Sequence, residues 1–185
     1  DGRAVVFLPP SRFTGHILPI GYTTEAYYDV QFSEHTDGWQ ISIHKKLFPT
    51  PITHTPEEYD FPDALYQTYW ENAEAYGILT EDGTLIAAIE ICPEDWSHRM
   101  RVTELWVMPE YQKHGYGHTL LRLAIDRARE NGCRALMLET QSCNVNAIDF
   151  YRHEGLSLIG CDRICYSNRD IDCCEVRLEM GMLLA

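Results

Sequence analysis

Two glycines, Gly115 and Gly117, stand between two runs of different period. Val102-Thr103-Glu104-Leu105-Trp106-Val107 reads as a strand, closed by Met108-Pro109. From Thr119 to Glu130 the chain is amphipathic with a helical repeat. A chain ordered as strand, short glycine loop and helix must build a mixed α/β layer with that loop at the strand's end. Glycine at a helix entrance lets backbone approach a ligand closely, and the first helical N–H groups have no intrahelical acceptor. With the positive end of the helix dipole, they suit an anion such as pyrophosphate.

Other phosphate loops fit poorly. A Walker loop needs Gly-x4-Gly-Lys-Ser/Thr, which is absent. A dinucleotide fingerprint needs a small residue where Leu120 stands. An ordinary strand–helix turn would also carry Gly115-x-Gly117, so the pair alone does not decide.

The rest of the chain supplies strands and helices in alternation. Tyr28, Val30 and Phe32, then Trp39, Ile41 and Ile43, alternate with polar neighbours around His35-Thr36-Asp37-Gly38, which predicts a β-hairpin. Gly15 to Ile20 is expected as an edge strand. Phe48 to Pro62, with Pro49, Pro51 and Pro56 inside it, is expected as a loop, and a helix is predicted from Pro62 or Asp63 to about Asn72. Tyr76–Leu79, Leu85–Cys92 and Met100–Val107 form an antiparallel meander on short connections, Thr80–Gly83 and Pro93–Arg99. Leu121, Ala124, Ile125 and Ala128 mark the buried face of a helix over His118–Asn131. Ala135–Thr140 follows as a buried strand, pairing parallel across the helix. Asn144–His153 is a second helix, stopped by Gly155. Leu156–Tyr166 and Glu175–Leu184 are two last strands.

Composition narrows the class. Of 185 residues, 45% are hydrophobic, enough for a proper core in one domain over 1–185. A net charge of -13 argues against nucleic acid or an anionic membrane as partner and is compatible with a cationic one. No apolar run is long enough for a membrane span, and Asp1 opens no secretory signal, so the expected location is cytoplasmic. Seven cysteines without regular spacing read as reduced thiols, and the late group Cys161, Cys165, Cys173 and Cys174 lacks paired Cys-x2-Cys spacing, so no metal is expected.

Gln112-x2-Gly115-x-Gly117 after a strand ending Trp106-Val107-Met108-Pro109 resembles the acetyl-CoA-binding motif of the GNAT superfamily of N-acetyltransferases. Leu138-Glu139-Thr140-Gln141, Asn144, Ala147 and Phe150-Tyr151 resemble its second cofactor segment, with Leu156 where the family usually has Phe. Within the superfamily the chain is most similar to streptothricin acetyltransferases, through those residues together with Ile159-Gly160, Tyr166 and Glu175-Val176-Arg177-Leu178. The resemblance implies a GNAT fold: a mixed central sheet with an antiparallel N-terminal meander, a splayed parallel strand pair at the acetyl-CoA site, and flanking helices. Residues 1–60 would be a variable hairpin and acceptor-side loop, and 61–185 the acetyl-CoA-binding core.

It also implies residue roles. Leu105, Trp106 and Val107 would lie along the cofactor. Gln112, Lys113, His114, Gly115, Tyr116, Gly117 and His118 would hold its phosphates, although Lys113, His114 and His118 also read as solvated loop side chains. Asn144 can cap its helix and, by resemblance, bond the pantetheine arm. An amine attacking a thioester must be neutral, and a lysine-like amine has a pKa of about 10.4, so a proton acceptor is needed. Glu104 is the candidate base, and a sheet-edge ion pair is an equal reading of it. A backbone N–H near Val107 or Met108 would stabilise the oxyanion. Tyr151 would reprotonate the leaving thiolate, a role the resemblance assigns to that motif position.

The acceptor is expected to be a small-molecule amine, with the acidic loop residues Glu57, Glu58 and Asp60 as its candidate partners. Acetylation of a protein or peptide amine, and acyl-CoA binding without catalysis, are the alternatives. Trp39, Tyr59, Tyr66, Tyr69, Trp70 and Trp96 either line a cation pocket or, more often for such residues, pack in core and hairpin. Oligomeric state stays open, a homodimer included.

Overall fold

The computed structural model describes residues 2–185. They form two compact units. One comprises 2–20, 56–138 and 182–185, the other 21–55 and 139–181.

In the first unit the strands lie in the order β1 (Val6–Leu8), β4 (Glu74–Leu79), β5 (Leu85–Glu94), β6 (Arg99–Val107) and β7 (Ala135–Gln141), the last passing into the second unit. The meander predicted from sequence is present: β4–β5 and β5–β6 are antiparallel. Its second connection is shorter than expected, because Pro93 and Glu94 pair with Met100 and Arg99. β6 and β7 pair in parallel through Arg99↔Ala135, Met100↔Leu136 and Arg101↔Met137, while β6 itself continues to Val107. Gly77, on β4, permits the close approach of β5. A Cβ there would lie 2.7 Å from the Ala87 carbonyl oxygen and 2.7 Å from Leu85 Cδ1.

The helix α2 (Tyr116–Glu130) begins two residues before the expected start, so Gly117 and His118 lie inside its first turn. Its buried face is the predicted one, Leu121, Ala124, Ile125 and Ala128, extended by Tyr116 and Leu120. Each fully buried Leu or Ile stabilises by roughly 1.5–3 kcal/mol, so this stripe seats the helix on β5 and β6. Arg127 fixes its far end through two guanidinium nitrogens on Glu74. Gly132, at φ 71°, ends it in the left-handed conformation that a C-terminal stop requires. On the same unit, Leu8, Phe13, Leu18, Leu65, Ala75, Leu85, Ala88 and Trp106 form one hydrophobic cluster, reached by the short helix α1 (Pro10–Phe13).

Two expectations fail here. No helix spans 62–72. Leu65 exchanges backbone hydrogen bonds with His16 and Gly15, Ala64 bridges Ile17, and Tyr66 and Asn72 take φ of 57° and 63°. Within the segment Leu65 is 0% and Tyr69 65% exposed, so no common helical face is buried. The predicted edge strand at Gly15–Ile20 reduces to that single bridge. A non-local pairing has taken the backbone groups that a local helix would have used.

In the second unit β2 (Tyr22–His35) and β3 (Gly38–His54) form the predicted hairpin, closing at His35↔Gly38. It is much longer than expected, and Phe48–His54 is strand, not loop. The register jumps between Thr24↔Ile52 and Ala26↔Leu47. Pro49 and Pro51 fall in that irregularity, where no ladder N–H is required of them. Only Thr55–Pro62 remains a loop, with a 3-10 turn at Pro56–Glu58. The helix α3 (Val145–His153) receives the hairpin: Tyr28 Oη donates to Asp149 at 2.8 Å, and Lys45 Nζ lies 2.7 Å from the other oxygen of that carboxylate. β8 (Ser157–Asp162) and β9 (Arg177–Leu183) are antiparallel and shorter than expected, with 163–176 irregular between them. Among the described residues no helix is long and apolar enough to cross a membrane.

Candidate active site

In the first unit the loop after β6 is built by its own backbone. Tyr111 N–H donates to the Met108 carbonyl at 2.8 Å, and Gln112 Nε2 donates to the Val107 carbonyl at 3.2 Å. Lys113 and Gly115 take φ of 64° and 84°, and these two left-handed residues swing the chain into α2. A side chain at Gly115 would meet nothing within 4 Å, so its requirement is conformational, not steric. Gly115 is the N-cap and carries no side chain to bond the first-turn N–H groups, the arrangement that suits an external anion. Gln112, Lys113, His114 and His118 are exposed around it. His114 stacks near Tyr116, interplanar angle 14°. Tyr116 itself is buried and accepts a hydrogen bond from Arg3 at 3.4 Å, so only its backbone faces the loop's task.

A groove of about 550 Å³ runs along α2 from His118 past Thr119, Arg122 and Leu123 toward Asp126, Arg127 and Glu130. Arg122 was not among the sequence candidates. It stands four residues after His118, and that helical spacing was the available signal.

The strand side of the site follows from alternation. Leu105 and Val107 are half-buried, while Glu104 and Trp106 are buried on the opposite face. Trp106 packs into the core cluster, so its part in a cofactor site is backbone only. Met108 N–H donates to the Ile86 carbonyl at 2.8 Å and is therefore committed to β5. Successive N–H groups of a strand point to opposite edges. Val107 N–H thus points away from β5, and of the two oxyanion donors named from sequence it is the better placed.

Glu104 lies opposite Glu90 in the ladder. Glu90 is fully buried and was missed by sequence reasoning, although a lone carboxylate in the apolar run Leu85–Cys92 was a legible signal. Its oxygens accept from Thr103 Oγ1 at 2.7 Å and from Tyr66 N–H at 2.6 Å. Burial raises its carboxyl above the ordinary value, with those two hydrogen bonds opposing. The Tyr69 hydroxyl is raised as well, first by partial desolvation and then by Glu104, Asp63 and Glu90, although the side chain as a whole is largely exposed. Glu57, Glu58 and Asp60 are exposed in the Pro56–Glu58 turn and just beyond it. Of the aromatic candidates, Trp39, Tyr69 and Trp96 are largely exposed, not core. The guanidinium carbons of Arg101 and Arg99 lie 5.8 Å and 5.9 Å from the ring centroids of Trp70 and Trp96.

Because the folded Glu90 carboxyl is raised, its contribution to stability is complete below the unfolded value and is lost as pH rises through the folded one. In Glu90→Gln the amide oxygen can accept from Tyr66 N–H. Its NH₂ can donate to Thr103 Oγ1, whose proton goes to the Glu90 backbone carbonyl 3.2 Å away. The variant is expected to melt at or above the parent's temperature at pH 7, and to lose that advantage by about pH 4, near the ordinary carboxylate value. Melting curves at the two pH values check it.

In the second unit Asn144 caps α3, its side-chain oxygen accepting from Ala147 N–H at 3.4 Å. Tyr151 lies on α3 half-buried, its ring beside Phe150. Glu139 accepts from Tyr166 Oη at 2.6 Å.

A family model described as the acetyltransferase (GNAT) family matches residues 41–155. The chain belongs to that family. Streptothricin acetyltransferase of Streptomyces lavendulae is 34% identical over 85 residues, 46% of this chain. The chain spans only 45% of that relative's length. The crystal structure of nourseothricin acetyltransferase overlays with a TM-score of 0.78 at 25% identity, covering 100% of both chains. A Bacillus anthracis str. Ames protein solved in complex with acetyl coenzyme A overlays with a TM-score of 0.73 at 21% identity, covering 100% of this chain and 98% of its own, a likeness of fold. The mixed sheet expected from sequence is thus a GNAT fold. Leu156, in place of the family's usual Phe, is buried at 3% exposure, which fits a repacked core.

Proposed function

We propose that this GNAT chain transfers acetyl from acetyl-CoA to the amine of a small cationic molecule, with streptothricin-type antibiotics as the leading acceptor. The observation that carries the transferase reading is the left-handed Gly115 at an uncapped helix start, inside the segment that matches the family. The first-turn N–H groups of α2 bind the pyrophosphate, with Lys113, His114 and His118 as side-chain donors and Arg122 reaching the cofactor's outer phosphate. Leu105 and Val107 lie along the pantetheine arm.

Glu104 accepts the amine proton, directly or through water, and the neutral amine attacks the thioester carbonyl. Val107 N–H stabilises the oxyanion. Collapse expels the CoA thiolate, which takes its proton from Tyr151. The acceptor reading rests on the exposed Glu57, Glu58 and Asp60 and on the named relatives. Long-range attraction of a cation follows from the same charges.

Neutralising Glu57, Glu58 and Asp60 together, as Gln, Gln and Asn, is expected to raise KM for a cationic amine and to flatten its dependence on salt. Acetyl-CoA affinity should not change. Thiol release measured over a set of cationic, neutral and peptide amines tests the acceptor class. Preference for a peptide amine, unaffected by the triple substitution, would move the reading to a protein N-acetyltransferase.

A further inference from the structure

In the second unit His54, at the end of β3, Cys143, in the turn before α3, and Glu175, just ahead of β9, converge. Their ligand atoms all lie within 4.8 Å of one another. Cys143 is 1% exposed and His54 8%, while Glu175 is half-buried. The sulfur lies 3.8 Å from His54 Nε2, and a Glu175 carboxylate oxygen lies 3.9 Å from that same nitrogen.

This geometry separates two readings. A nucleophilic relay sets sulfur and carboxylate on opposite ring nitrogens, so that one orients the ring and the other gives up a proton. Here both face Nε2. The 3.9 Å contact is also too long for a hydrogen bond. Ligands of one tetrahedral zinc, at bond lengths of about 2.0–2.3 Å, sit roughly 3.4–3.8 Å from one another. The two nitrogen distances need to contract by only a few tenths of an ångström, and the carboxylate of the half-buried Glu175 already lies within 4.8 Å of the sulfur.

We infer that His54, Cys143 and Glu175 form a binding site for one zinc-like divalent transition metal ion. Imidazole, thiolate and carboxylate together suit zinc, whereas magnesium and calcium prefer oxygen donors alone. Thiolate and carboxylate together balance the dication, so the loaded site is neutral. Loading forms a metal–sulfur bond and releases the thiol proton to solvent. Water completes the coordination. In the unloaded site Tyr22 Oη lies 3.2 Å from the sulfur and donates its own proton to Gln141 Oε1 at 2.6 Å, so it accepts from the Cys143 thiol until loading removes that proton. The ion would clip the hairpin to the turn that starts α3, next to Asn144. The expectation from sequence was no metal, and Cys161, Cys165, Cys173 and Cys174 play no part in this site.

Titration of Zn²⁺ and Co²⁺ into the reduced full chain tests the inference. One ion per chain, a thiolate-to-cobalt charge-transfer absorption, and a melting temperature raised by Zn²⁺ are expected. Cys143→Ser should remove the absorption, and Glu175→Gln should weaken Zn²⁺ binding at least about 10–100-fold, the loss seen when even an outer partner of a metal ligand is removed. Melting curves in chelator establish that each variant is folded, and Glu175→Gln leaves the buried thiol in place. A charge-transfer absorption that survives Cys143→Ser, or Zn²⁺ affinity unchanged in Glu175→Gln, would overturn it.

Discussion

Tyr151→Phe is expected to lower kcat by about 10²–10⁴-fold, the usual worth of a positioned general acid. The substitution keeps the ring and its contact with Phe150 and removes only the proton. Acetyl-CoA affinity should therefore hold, because the lost interaction forms only as the thiolate leaves. Steady-state kinetics with calorimetry of acetyl-CoA binding separate the two quantities. An unchanged kcat, with chemistry shown to limit the rate, removes Tyr151 from the mechanism. Glu104→Gln tests the base by another readout: activity should recover toward alkaline pH, where the acceptor amine is already neutral.

Gly117→Asp is expected to weaken acetyl-CoA binding by about 10²-fold or more. Gly117 lies inside the first turn of α2, so a carboxylate there would sit with the pyrophosphate among the same N–H groups. Like charges juxtaposed in a binding site cost several kcal/mol, and each 1.4 kcal/mol is tenfold in affinity. The fold should survive, since Asp near a helix N-terminus favours the dipole. Undiminished affinity in calorimetry would put the cofactor elsewhere. Failure here would leave the His54–Cys143–Glu175 site untouched, because that site is read from different residues in the other unit.

The parts of the fold legible in the sequence are those that local chemistry determines. The α2 stripe, the Asn144 cap, the Gly132 stop and the Thr36-Asp37 turn each follow from residues a few positions apart. The same is true of the glycine loop, where left-handed Lys113 and Gly115 lead directly into the helix. Where distant segments compete for the same backbone groups, the sequence misleads. Leu65 pairs with Gly15 and His16 instead of closing a helical turn, and Pro49 and Pro51 sit within a strand because the ladder slips around them.

Carboxylates behave likewise. Glu104 could be picked by its place in a motif. Its relation to Glu90 depends on the β5–β6 register, and the join of His54 to Cys143 and Glu175 on three segments far apart in the chain. No periodicity encodes either. Arg122 lies between these cases: its spacing from His118 is local, but the groove that the two line along α2 is not written in that spacing.

Acetyl transfer to a cationic small molecule is the central claim, and one reaction tests it most directly. The protein is mixed with acetyl-CoA and streptothricin, free thiol is followed with time, and the drug is weighed by mass spectrometry. The account predicts thiol release that depends on both substrates, matched mole for mole by drug carrying one added acetyl group on an amine. No thiol release and no mass gain, in protein shown by calorimetry to bind acetyl-CoA, would contradict it.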